Sequence, residues 1–119
     1  KKQRKFTMTN LNLNQINRIE DFFKRKSNIL TQSFSNTTYT ITPIFYDNLL
    51  KQIIITKHSQ KNFFGWNAYL DKYTYTLQNK ELHSEHVPNN PNKEMQEKYI
   101  LEVIEELLAT VDYISNNPE

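Results

Sequence analysis

Apolar residues recur along this 119-residue chain with two different spacings, and the spacing changes with the composition. Between Lys93 and Ser115, placed at about 100° per residue, Ile100, Val103, Ile104, Leu107, Leu108, Val111 and Ile114 share one arc. Glu94, Lys98, Glu102, Glu105 and Asp112 lie opposite, which predicts an amphipathic helix. Asn90 is its expected cap, Pro91 its first helical position, and Asn116, Asn117 and Pro118 its left-handed stop. A second helix is predicted from Leu11 to about Leu30. There Asn12 and Gln15 approximate a capping box, and Leu11 with Ile16 stands at hydrophobic-staple spacing. Ile16, Ile19, Phe23 and Leu30 form its apolar face with Phe22 at the margin, and Asn17, Arg18, Asp21, Lys24 and Arg25 form its wet face.

Between these helices the period falls to two. Thr37 to Tyr46 is dense in β-branched and aromatic residues, with Tyr39 and Ile41 alternating against Thr38, Thr40 and Thr42. Pro43 would remove a ladder donor, so an edge position or a bulge is expected there. Asp47-Asn48 suits a tight turn, and Leu49 to Thr56, centred on Ile53, Ile54 and Ile55, is the natural antiparallel partner. Three consecutive isoleucines imply a strand covered on both faces, or one whose outer face meets another molecule. Phe63 to Leu70 leads into a third strand, Asp71 to Gln78, in which Tyr69, Tyr73, Tyr75 and Leu77 keep one parity. Asn79 to Asn92, rich in Pro and Asn, reads as a loop, with a short strand near Leu82 as the alternative.

The predicted fold is α+β, a single domain over residues 11–117 in the order α-β-β-β-α. An antiparallel sheet of three strands, or four if the Leu82 strand forms, carries the N- and C-terminal helices on one face. Residues 1–10 are a basic flexible tail. The opposite face is expected to carry Tyr, Thr and Lys, which makes it the default recognition surface.

Composition narrows the function. Seven Tyr, seven Phe and one Trp outweigh a mean hydropathy of −0.76 and mark a folded chain. With Gly65 as the one glycine, phosphate-cradling glycine loops are excluded. The absence of Cys removes disulfides, thiolate nucleophiles and Cys-bearing zinc sites. No cofactor is expected. No run approaches the roughly 18 apolar residues of a membrane span, and no signal-peptide pattern is read, so the expected location is cytoplasmic.

Charge is unevenly divided. Residues 1–60 carry 10 Lys or Arg against 3 Asp or Glu, whereas residues 61–119 carry 5 against 10. The two halves therefore attract each other or present faces of opposite sign. Lys1, Lys2, Arg4 and Lys5 with Lys24, Arg25 and Lys26, together with the aromatics around Trp66, are candidates for binding nucleic acid. His83 and His86, with His58, are candidate metal ligands for a metal-dependent hydrolase, because two imidazoles three apart on a turn can reach one ion. Ile16, Ile19, Phe22 and Phe23 followed by Lys24, Arg25 and Lys26 resemble the short peptide by which many replication proteins bind the sliding clamp. The pattern departs at its first position, where the usual Gln is Ile16 and Gln15 stands one residue early. Core packing asks for the same residues.

No nucleophile elbow, Walker loop or zinc-protease helix is present, so the leading expectation is a non-catalytic protein-binding domain, an adaptor, inhibitor or self-associating module. Its partner-binding residues are expected to be Ile53, Ile55, Phe63, Phe64, Trp66, Tyr69, Tyr73 and Tyr75. The partner is another protein or a second copy.

Overall fold

The computed structural model of the chain describes residues 10–33, 37–59, 69–87 and 93–117. They form α1 (Leu13–Ser33), β1 (Thr37–Tyr46), β2 (Leu49–Ser59), β3 (Tyr69–Thr76), β4 (Glu81–Val87) and α2 (Lys93–Ser115). The strands make one antiparallel meander in the order β1-β2-β3-β4. The fold is thus α+β with two helices, and the short strand near Leu82 is a full fourth member of the sheet.

The helix ends follow local chemistry. Asn12 Oδ1 accepts from the Gln15 amide at 2.7 Å, and Gln15 Oε1 accepts from the Asn12 amide at 2.9 Å, which completes the capping box. Leu11 is buried beneath it and Ile16 packs against the same core. Gln15 also reaches across the molecule, because its Nε2 donates to the carbonyls of Ile114 and Ser115 at the end of α2. One side chain thereby satisfies orphan groups of both helices. The stop of α2 differs from expectation: the described non-glycine residues with positive φ are Asp47, Asn48 and Lys80, not Asn116 or Asn117. The helix closes instead with the Asn117 amide on the Ile114 carbonyl and Asn117 Nδ2 on the Tyr113 carbonyl. Asn90, Pro91 and Pro118 lie outside the described residues.

Asp47 and Asn48, at φ 53° and 61°, are the two central residues of the β1–β2 turn. Two consecutive left-handed residues give the hairpin twist that a two-residue loop needs, and Asn and Asp tolerate it. Pairing then runs from Tyr46↔Leu49 to Thr37↔Ser59, with a register shift between Ile44 and Phe45. Pro43 lies beside that bulge on an edge strand, as its missing amide requires.

Strand alternation sends Tyr39, Ile41, Ile53, Ile55, Tyr73 and Tyr75 to one side, where all are buried. Ile19, Phe23 and Leu30 from α1 and Ile100, Val103, Ile104, Leu107, Val111 and Ile114 from α2 meet them in one core. The helices run antiparallel, with Gln15 at Ile114 and Lys26 bonded to Glu106 at 2.9 Å. That pair joins the basic half of the chain to the acidic half.

α1 does more than cover the core. Ser27 sits on its buried face, and its Oγ accepts from the Ile41 amide at 2.8 Å. Thr31 Oγ1 accepts from the Tyr39 amide at 2.9 Å. Two hydroxyls one helical turn apart thus take up donors along the free edge of β1.

Candidate interaction surface

The face of the sheet turned away from the helices is built by even-numbered residues of β1, of β2 from Gln52 onward and of β3, and by odd-numbered residues of β4; before the bulge, Leu50 takes the core side. Register lines them up in rows: Thr40, Thr56, Lys72 and Glu85; Thr42, Ile54, Thr74 and His83; Thr38, His58, Leu70 and Val87. Threonines predominate because β-branched residues suit a pleated surface while their hydroxyls suit water. Thr40 and Thr56 bond directly to each other through their hydroxyls. Apolar groups interrupt this face. Leu70 and Val87, directly paired, are 46% and 64% exposed, and Ile54 is half-buried. No helix of the described residues lies over it.

The expectation that Tyr would line this face is corrected. Ile53, Ile55, Tyr73 and Tyr75 occupy the helix side and are buried, so a partner does not touch them in the folded chain. Their parity is as read from the sequence, but periodicity does not say which parity the helices cover. Tyr69 is half-buried with that same parity. Phe63, Phe64 and Trp66 lie outside the described residues.

The three histidines are divided between the faces. His83 and His58 point to the open side and His86 to the helix side, because residues 83 and 86 stand on a strand rather than a turn. They do not converge, and among the described residues no group of three or more His, Asp or Glu is placed to hold a metal ion. The metal-site expectation for His83, His86 and His58 is therefore corrected.

His86 instead joins a buried polar cluster that the sequence did not reveal. Its Nδ1 lies 2.8 Å from Asp71 Oδ1, with the side chains only 5% and 1% exposed. Asp71↔His86 is a direct cross-strand pair, so the register of β3 on β4 creates the contact. The imidazole meets the Tyr73 ring edge-on at a centroid distance of 5.6 Å. Glu97 of α2 takes the Ser84 hydroxyl, and Gln96 takes the Tyr73 hydroxyl at 3.2 Å. The remaining ring nitrogen, His86 Nε2, is buried without a hydrogen-bond partner and lies 3.9 Å from Glu97 Oε2. An imidazole held by a carboxylate is the base half of a hydrolytic triad. Here, however, the Ser84 hydroxyl donates to Glu97 and leaves the nucleophile–base contact unmade.

Burial also shapes the tyrosines of the helix side. Burial, then the nearby Tyr99 and Asp71, pushes the Tyr39 phenol up to about 12. The Tyr73 phenol is raised further, first by burial and then by Asp71.

The basic cluster is split. Lys26 pairs with Glu106 across the helices, whereas Lys24 and Arg25, with Arg18, Asp21, Phe22 and Tyr113, line a groove of about 480 Å³ between α1 and α2. Lys1, Lys2, Arg4 and Lys5 lie outside the described residues. Within the clamp-like pattern, Ile19 and Phe23 are fully buried, so they serve the core and are not presented to a clamp.

The geometry defines a class: an antiparallel four-stranded sheet with helices on one face, a polar cluster beneath them and a reverse side over which no described helix lies. No family model, no curated protein and no solved structure matches this chain. No helix of the described residues is long and apolar enough to cross a membrane.

Proposed function

We propose that this chain is a non-catalytic protein-binding domain whose open sheet face receives a partner protein. The observation that supports this reading is the one-sided packing. Both helices spend their apolar stripes on the same face, while Ile54, Leu70 and Val87 remain among threonines on the other. Such a face suits a protein with complementary apolar and hydroxyl groups, since isolated apolar side chains on a polar field give modest area with defined register. His58, Lys72, His83 and Glu85 lie on the same surface and provide the polar contacts that orient a partner.

The test is capture from the chain's own cells with three forms: unchanged, Leu70→Lys on the open face, and Glu102→Lys on the exposed side of α2. The unchanged chain and Glu102→Lys should retain one protein in stoichiometric amount, and Leu70→Lys should lose it. Equal retention by all three forms would place the partner elsewhere, and no retained protein with a monomeric chain would remove the reading.

A further inference from the structure

β1 and β4 are the two edges of the sheet, and α1 closes only the first. The state of the second follows from alternation. Amide and carbonyl of one residue leave a strand on the same side, and successive residues leave on opposite sides. Tyr39 and Ile41 direct theirs to α1, so their partners Lys57 and Ile55 direct theirs to β3. Asp71 and Tyr73 answer them, which turns Ser84 and His86 away from β3 and, with them, Leu82. None of the cross-element backbone bonds among the described residues takes up these groups. β4 has no Pro, no Lys and no register shift against β3, and its edge charges are the carboxylates of Glu81 and Glu85.

We infer that β4 docks against β4 of a second copy of this chain, continuing the antiparallel sheet through a two-fold axis at Ser84. This goes beyond the open-face reading above, because it uses the edge of the sheet and not its face. Charge and strand overlap together select the register, because an axis at Leu82 also opposes Glu81 and His83 but joins only residues 81–83 of the strand. An axis at His83 would set Glu81 against Glu85 of the second copy, and an axis at Glu85 would set the two Glu85 carboxylates together. An axis at Ser84 sets His83 against Glu85 twice. It also makes Ser84 with Ser84, and Leu82 with His86, the hydrogen-bonded pairs that the free edge groups require. His83 and Glu85 then occupy the narrower, non-hydrogen-bonded positions, where facing side chains approach most closely. Both are available, at 75% and 62% side-chain exposure and 3.6 Å apart within one chain.

The test is light scattering of the full chain with reciprocal charge variants. The unchanged chain should give about twice its 14.3 kDa mass. His83→Glu sets carboxylates opposite each other and Glu85→Lys sets cations against imidazoles, so each should weaken the dimer by roughly tenfold over its two symmetric contacts. The double variant H83E/E85K restores opposite charges and should recover the dimer. A chain monomeric at every attainable concentration, or a dimer indifferent to both single changes, overturns the inference. Leu70→Lys, on β3, should leave the dimer intact. If the chain is monomeric and Leu70→Lys still abolishes capture of another protein, the open-face reading stands and the self-association alone falls.

Discussion

Tyr39 and Tyr73 each place a phenol on the covered side of the sheet, and their shared property is resistance to ionisation. Burial is the first cause for both, and also for Tyr75 and Tyr99, whose phenols are likewise raised. A phenol raised in the folded state keeps a proton that the unfolded chain gives up near its ordinary value of 10.0. Stability is therefore fully present below about pH 10 and declines as pH rises towards the folded value of about 12 for Tyr39. Urea midpoints should be level from about pH 8 to 9.5 and fall steeply above it. Tyr39→Phe should flatten that fall, and an unchanged slope would show that this phenol is not the titrating group. Lys80 illustrates a different residue-scale effect. Its φ of 56° ends the four-residue β3–β4 turn, where the sequence offers no glycine to take the left-handed conformation.

Among the elements, α1 is the one whose polar residues matter as much as its apolar ones. Ser27 occupies a position that periodicity assigns to the core, and a hydroxyl there would ordinarily weaken packing. It is bonded twice, donating to the Phe23 carbonyl at 2.9 Å and accepting from the Ile41 amide. Ser27→Ala leaves a buried strand donor without an acceptor and should lower stability by about 1–3 kcal/mol. Ser33→Ala, which loses only an exposed bond to the Ile29 carbonyl, should change it by less than about 0.5 kcal/mol. Chemical denaturation of the two variants gives the comparison directly, and equal effects would mean that the hydroxyl on the edge of β1 is dispensable. The same device gives the sheet its polarity: one edge is closed by a helix, and no described helix closes the other.

At the scale of the molecule, the Asp71–His86 pair links the third and fourth strands, and Glu97, bonded to Ser84 and 3.9 Å from His86, ties α2 to them. Two groups this deeply buried depend on one another, because either alone would be a polar group stripped of water. Asp71→Ala should therefore destabilise the fold by about 3–5 kcal/mol, the usual consequence of removing one member of a buried pair. Lys26→Ala, which breaks the Lys26–Glu106 pair at the surface, should stay within about 1 kcal/mol. Thermal melts of the two variants separate these outcomes. A small effect at Asp71 would show that His86 is satisfied in some other way.

Local pattern was sufficient for the elements themselves. The capping box at Asn12 and Gln15, the apolar arc from Ile100 to Ile114, the left-handed turn at Asp47-Asn48 and the bulge beside Pro43 all arise from interactions within a few residues. Each is therefore written in contiguous sequence. Two expectations failed because they required knowing what lay across the fold. The sequence marks Tyr73 and Tyr75 as one parity of a strand, but only the docking of α1 and α2 decides that this parity is the covered one. His83 and His86 look like neighbours on a turn, and pairing with β3 sets them on opposite faces and gives His86 to Asp71, fifteen residues away. Among the described residues, the face that no helix covers, the β1 edge closed by α1 and the β4 edge left without a helix are likewise properties of assembly, since burial and edge satisfaction exist only once distant segments have met.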